Sequence, residues 1–471
     1  MQENNPSNKK EVHTKTESMP LFFRLIKGCK RQTTFLIIMA ISLTFCTAIL
    51  ISLIALSCPY RCTSHPRLAL SLIHSKSIKS KESPKTKVGY LRSKSASASS
   101  LDNIWTTYTA DIVSHVTPIT RQAAFLANIS IGDPPVPQLL LIDTGSDLTW
   151  IQCHPCKCYP QTIPFYRPSR SSTYRDASCE PAPHAMPRIS HDERTKTCQY
   201  YLRYRDNSST RGTLAEEKLT FQTSDDGLVS KQDIVIGCGQ DNSGFTQYSG
   251  VLGLGPGKFS IVTRYFGSRF SYCFGSLTDL TNPHNILILG DGARNEGDPT
   301  PLHIFQDRYY LDLQAISLGQ KLLDIKPGVF KRFGSQGGTV IDTGCSPTIL
   351  ARDAYDTLFE EINFLLGDVL TRVKDWDQYT KPCYEGNMKG NFIGFPVVTF
   401  HFAGGAELTL DFESLFVESE DGESFCLAMS MNTLDDMSVI GAMAQQHYNV
   451  GYDLLTMNVY FQRTDCEILD S

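Results

Sequence analysis

The tetrapeptide Ile-Asp-Thr-Gly stands twice in the chain, at residues 142–145 and 341–344, about two hundred residues apart. Each copy closes an apolar run: Leu139-Leu140-Leu141-Ile142 leads into Asp143-Thr144-Gly145, and Gly338-Thr339-Val340-Ile341 leads into Asp342-Thr343-Gly344. A short apolar run that stops at Asp, a hydroxyl residue and Gly reads as a buried strand entering a tight turn. Each copy is followed downstream by two apolar residues and a glycine, Val251-Leu252-Gly253 and Val439-Ile440-Gly441. Solenoid repeats are several times shorter, so this period implies two similar β-lobes.

The rest of the chain suits that reading. Its 471 residues exceed one ordinary core and fit two cores plus extensions. From Ala123 onward, short apolar runs alternate with Gly, Pro, Asn and Asp, while long amphipathic helical patterns are few. An all-β, bilobal fold is expected, with lobes at residues 121–305 and 306–471.

Residues 1–120 differ in character, with 16 Lys/Arg against 6 Asp/Glu, whereas the remainder is acidic. The basic head either lies electrostatically on the acidic body or is a solvated linker beside it. Its basic residues are not interleaved with aromatics on a folded element, so no nucleic-acid partner is expected. Within it, residues 1–33 form a basic leader, and residues 34–57 an uncharged apolar segment long enough to span a bilayer. Lys27, Lys30 and Arg31 before that segment favour a signal-anchor with a cytosolic amino terminus. Ala55-Leu56-Ser57 would instead suit a cleaved signal peptide. Either reading delivers the body to the secretory lumen; a buried soluble helix is the third. Residues 58–120, rich in Ser and Lys, read as a removable or mobile segment.

Fifteen cysteines fit an oxidising compartment, and eleven of them follow residue 121: Cys153, Cys156, Cys158, Cys179, Cys198, Cys238, Cys273, Cys345, Cys383, Cys426 and Cys466. The cluster Cys153-His154-Pro155-Cys156-Lys157-Cys158 resembles metal ligands, but in that compartment disulfides are the expected outcome and no metal is assigned. Eleven is odd, so one thiol is expected outside the disulfides. Cys345 is the candidate, because the other ten can then pair; the alternative places Cys345 in a disulfide and the odd thiol elsewhere.

Two aspartates on rigid turns can hydrolyse an amide without a nucleophilic side chain. One carboxylate activates water as a general base while a second, protonated carboxyl polarises the carbonyl. Two adjacent acids cannot both ionise cheaply, so one proton is shared. Each aspartate needs a glycine for close backbone approach and a hydroxyl neighbour to orient it. Asp143-Thr144-Gly145-Ser146 supplies all of these, and Asp342-Thr343-Gly344-Cys345 all but the last. No metal or organic cofactor is required. Gly253-Leu254-Gly255-Pro256-Gly257 has a faint likeness to a phosphate loop but lacks a βαβ context, and is read as a turn.

The motifs together resemble the pepsin-fold aspartic proteases of the plant, cysteine-rich, nepenthesin-like type. The resemblance runs from about residue 124 to Cys466. It rests on the stretch 128–135, on Asp143-Thr-Gly-Ser-Asp-Leu-Thr-Trp150, and on Gly250-Val-Leu-Gly-Leu-Gly255. It continues through Phe270-Ser-Tyr-Cys273, the stretch 338–344, Phe395-Pro396 and Val439-Ile-Gly441. It implies Asp143 and Asp342 as the catalytic pair and Thr144 and Thr343 as partners in crossed hydrogen bonds. Ser146 would hold the outer oxygen of Asp143. Tyr204 would sit at the bend of a flap over the substrate, resting on Trp150. The implied protein is a monomer that cuts polypeptides at acidic pH and is made as a zymogen, with residues 68–75 resembling the start of a prosegment.

The chain departs from that pattern at two places. The usual flap sequence Tyr-Gly-Asp-Gly-Ser is here Tyr204-Arg205-Asp206-Asn207-Ser208, which loses two glycines, although Asn best tolerates a left-handed turn. Asn207 and Asn128 also head glycosylation acceptor triplets. Cys345 replaces a Thr or Ser, and a thiol is a weak donor for the outer oxygen of Asp342. These departures support a rival reading, a binding protein on the same fold similar to plant inhibitors of glycan-degrading enzymes; the intact aspartates and threonines oppose it. If the thiol limits Asp342, Cys345→Thr is expected to raise peptidase activity, and an unchanged or lower kcat/KM would rule that limit out.

Overall fold

The computed structural model describes residues 112–119 and 124–469, apart from 180–186, 225–226, 246, 280–281, 283, 374–381, 393 and 420. The leader, the apolar segment and nearly all of the basic segment therefore lie outside the described residues. Among the described residues no helix is long and apolar enough to cross a membrane.

Each aspartate ends a strand held in the same way. Val136–Asp143 pairs antiparallel with Ala124–Ile131 and parallel with Gly250–Gly253, setting Leu140 against Gly250 and Asp143 against Gly253. In the second half, Thr339–Ile341 pairs antiparallel with Arg308–Leu311 and parallel with Ser438–Ile440. The downstream apolar-apolar-Gly partners of the two aspartate motifs are thus their parallel neighbours. Leu140, Ile142, Val251, Leu252, Ile341 and Ile440 are all buried, because strands flanked on both sides have apolar residues on both faces. Helices are few among the described residues; the longest of these, Arg352–Gly367, buries Ala354, Leu358, Ile362 and Leu366 at a helical spacing.

A sheet shared by both halves joins them. Its strands run in the order Ile112–Ile119, Ile286–Leu289, Arg269–Phe274, Tyr448–Asp453, Asn458–Arg463 and Asp298–Phe305, all antiparallel. Three strands come from each side of residue 290. The central seam pairs Phe270 with Tyr452, whose rings stack with centroids 4.3 Å apart. The Cys273–Cys466 disulfide closes the same sheet across 193 residues.

The other disulfides among the described residues stay within one half each: Cys153–Cys238, Cys156–Cys158 and Cys179–Cys198 in the first, Cys383–Cys426 in the second. Cys345 keeps its thiol and is buried among Tyr310, Val340, Ile349, Met437 and Val439. No group of metal-ligating side chains occurs among the described residues. Truncating the seam removes a fully buried ring from the sheet that unites the lobes. Phe270→Ala is expected to cost about 3–5 kcal/mol of stability, read as a lowered midpoint in urea unfolding.

Candidate active site

The two Asp-Thr-Gly turns meet where the halves of the molecule face each other. Thr144 N donates to Thr343 Oγ1 at 3.1 Å, and Thr343 N donates to Thr144 Oγ1 at 3.0 Å. Each hydroxyl donates onward to the opposite strand, Thr343 Oγ1 to the Ile142 carbonyl at 2.9 Å and Thr144 Oγ1 to that of Ile341 at 3.4 Å. Both threonines are buried, so these bonds form away from competing water.

The glycines explain how close the carboxyls come. A Cβ on Gly145 would lie 2.4 Å from Asp342 Oδ2, and one on Gly344 would lie 2.4 Å from Asp143 Oδ1. Any side chain at either position would therefore displace the opposite aspartate. Gly145 N donates to Asp143 Oδ1 at 2.8 Å, and Gly344 N to Asp342 Oδ1 at 2.8 Å, so each carboxylate is oriented by its own turn.

Beyond those bonds the symmetry ends. Ser146 Oγ donates to Asp143 Oδ2, whereas the Cys345 thiol donates to the Pro347 carbonyl at 3.4 Å. Burial raises both aspartates above the ordinary carboxylate range. Donors from Ser146 and Gly145 oppose that rise at Asp143. At Asp342, burial and the adjacent Asp143 charge carry the value to about 7 against the weaker help of Gly344 and Arg308. The pair titrates as a unit, and the donors from Ser146 and Gly145 favour the charged form at Asp143.

Over the pair hangs the hairpin of Thr197–Arg203 and Ser209–Thr223. At its bend Tyr204 N donates to the Ser208 carbonyl at 2.9 Å, and Asn207 N to that of Tyr204 at 3.0 Å. Asn207 takes a left-handed φ of 71° in place of a glycine, and its exposed side chain accepts from Arg203 at 2.8 Å. Asn128 is likewise exposed, on its strand. Trp150 Nε1 donates to Tyr204 OH at 2.8 Å, so the flap tyrosine rests on Trp150 at the wall that also carries Ser146 and Asp143.

Three features were not singled out from sequence. Arg205 at the flap bend reaches across to Asp435 of the other half at 3.2 Å. Tyr452, buried beneath the turns, meets Tyr272 at 3.1 Å; Tyr272 in turn donates to Gln445. Asp147, buried beside the cleft, accepts from Gly257 N at 2.9 Å, and burial together with the neighbouring Asp307 and Asp143 charges raises it to about 7. The first and second depend on contacts between distant segments. Asp147 was visible inside the motif, but its burial was not.

The raised carboxyls make stability pH-dependent. The folded chain holds the Asp147 and Asp342 protons more tightly than the unfolded chain, where carboxyls titrate near 3.8. That contribution is complete below 3.8 and is lost as pH rises through about 7. Unfolding free energy is expected to fall by about 1.4 kcal/mol per pH unit per group within that window. Asp147→Asn should flatten the slope in urea titrations at stepped pH, and an unaltered slope would refute the assignment.

Comparison with known proteins agrees with this geometry. The family model of the xylanase inhibitor N-terminal domain matches residues 125–291, and that of its C-terminal domain matches residues 308–463. The chain is 37% identical over 356 residues to aspartyl protease UND of Arabidopsis thaliana, covering 74% of this chain and 86% of the relative. It is 32% identical over 352 residues to aspartic proteinase nepenthesin-2 of Nepenthes gracilis, covering 73% and 78%. Among solved structures, that of edgp superposes with a TM-score of 0.63 at 18% identity, covering 76% of this chain and 96% of that one. Basic 7S globulin from soybean gives a TM-score of 0.58 at 20% identity, covering 75% and 96%. These structural likenesses bear on the fold, while the sequence matches span both lobes and both aspartate turns. The chain belongs to the pepsin-fold aspartic protease family, in the plant branch that includes the nepenthesins.

Proposed function

We propose that the chain is an acid-acting endopeptidase in which Asp143 and Asp342 activate one water against an internal peptide bond. The observation that carries this reading is the pair of carboxyls held so closely that each turn must carry glycine to admit the other. Asp143, richer in donors, is the carboxylate that takes a proton from water. Asp342, which keeps its proton, donates to the scissile carbonyl oxygen and stabilises the charge that develops there. The proton gained by Asp143 then passes to the departing amine. Thr144 and Thr343 hold the turns in register, Ser146 orients Asp143, and Tyr204 with Trp150 closes the flap over an extended polypeptide.

The acid optimum follows from the proton on Asp342. Above about 7 that proton is lost and the carbonyl has no acid to polarise it. Entry into the secretory pathway is supported by ten cysteines engaged in five disulfides, which need an oxidising lumen. Residues 34–57 would direct that entry, as an anchor or a cleaved signal, and the basic segment from residue 58 to about 111 would cover the cleft as a prosegment, because Ile112–Ile119 of the expected segment 58–120 is a strand of the sheet shared by both halves. Asn128 and Asn207 are exposed acceptors for glycans, the latter at the flap bend. The lobes would divide near residue 305, between the two matched family domains.

The full chain, produced in secretory cells and incubated in acid, is expected to cleave an unfolded protein between about pH 3 and 6 and to be inhibited by pepstatin. Asp143→Ala should lower that rate by about a thousandfold or more. A folded, disulfide-complete sample that cleaves nothing would favour the binding-protein reading instead.

A further inference from the structure

Three arginines line the cleft around the aspartate pair: Arg203 and Arg205 from the flap, and Arg308 from the second half. The flap arginines are engaged. Arg203 donates to Asn207, and Arg205 pairs with Asp435. Arg308 is half-buried, yet its guanidinium makes no ion pair or hydrogen bond among the described residues.

Its position is rigidly set. Gln306 and Asp307 form a tight turn with φ of 49° and 55°, and Arg308 opens the strand Arg308–Leu311 directly after it. The next two residues anchor that strand. Tyr309 is fully buried and donates to the Leu254 carbonyl at 2.7 Å, and Tyr310 is buried opposite Val340. The backbone that carries Arg308 is therefore fixed at the cleft wall. Nor does its neighbour Asp307 neutralise it. A Cβ on Gly257 would meet Asp147 Oδ2 at 1.8 Å and Asp307 Cγ at 2.8 Å, so the Asp307 carboxyl is turned toward Asp147. The Arg308 charge reaches Asp342 instead, where it favours the ionised form.

A half-desolvated guanidinium with five donors and no acceptor is completed best by a carboxylate, which it can bind through two parallel hydrogen bonds. A polypeptide lying across Asp143 and Asp342 brings its own side chains past this point. We propose that Arg308 is a specificity-determining residue, selecting polypeptide segments with an Asp or Glu side chain flanking the scissile bond. This rests on the endopeptidase reading above. The peptide carboxylate completes the arginine only while that segment is bound, so the contact favours acidic over neutral segments without being needed for hydrolysis itself.

The test uses the full-length chain, matured in acid, on an unfolded protein mixture at about pH 5, where Asp and Glu side chains are largely ionised. Cleavage sites are mapped by mass spectrometry, and kcat/KM is measured on peptide pairs differing only by Glu or Gln beside the cut. The wild type is expected to favour Glu over Gln by about tenfold at one flanking position. Arg308→Gln should bring that ratio to about one, Arg308→Lys should keep part of it, and Arg308→Glu should turn the preference toward Lys and Arg. An identical cleavage map for Arg308→Gln, or uniformly slower cleavage with the Glu preference intact, overturns the inference while leaving the endopeptidase reading standing. A wild type that is folded but cleaves nothing overturns both.

Discussion

Four hydrogen bonds between Thr144, Thr343, Ile142 and Ile341 tie the two aspartate turns together, and the rest of the site depends on them. Each lobe alone would present a single carboxyl on a strand end, which usually does no more than cap it. Crossing the threonines places the second carboxyl within reach of the first. The layer beneath reinforces this arrangement. Tyr272 bonds to both Tyr452 and Gln445, and Gln445 Nε2 donates to the Ile440 and Gly441 carbonyls at 3.0 and 3.1 Å. Buried polar groups satisfied in this way define one arrangement, because any alternative would strand several of them.

The two lobes repeat a plan, but chemistry needs them to differ. Burial pushes both carboxyls toward the neutral form, and the uneven supply of donors makes the two unequal. Ser146 supports Asp143, whereas at the matching place the Cys345 thiol faces the Pro347 carbonyl inside an apolar cluster. The substitution of a thiol for a hydroxyl therefore widens an asymmetry that the paired turns alone would leave small. Asp147 adds a third raised carboxyl at the same wall, and its proton is tied to the same acid conditions.

The flap is more firmly tethered than a glycine-rich bend would be. Asn207 absorbs the left-handed turn, Asp206 accepts from Ser208 N at 2.8 Å and from its hydroxyl at 2.5 Å, and Arg205 pairs with Asp435 across the cleft. Asp435 is itself held by Asn432 Nδ2 at 2.7 Å, so the far end of that ion pair is not a loose side chain. Partial burial makes this pair worth more than an exposed one.

Much of this was legible in the sequence because strand chemistry is local. The repeated Ile-Asp-Thr-Gly, its apolar lead-ins and the downstream apolar-apolar-Gly triplets specified two β-lobes and named both aspartates, and an odd cysteine count required one thiol outside the disulfides, with Cys345 as the candidate. Periodicity and turn chemistry carry that information residue by residue. The tertiary structure alone decided what depends on distant segments meeting. It set the pairing of Arg205 with Asp435, the burial of Asp147 against Gly257, and the half-buried place of Arg308 at the cleft. A charge in a sequence has no environment; whether it is paired, neutralised or left to a ligand is settled only when the fold fixes its neighbours and its distance from water.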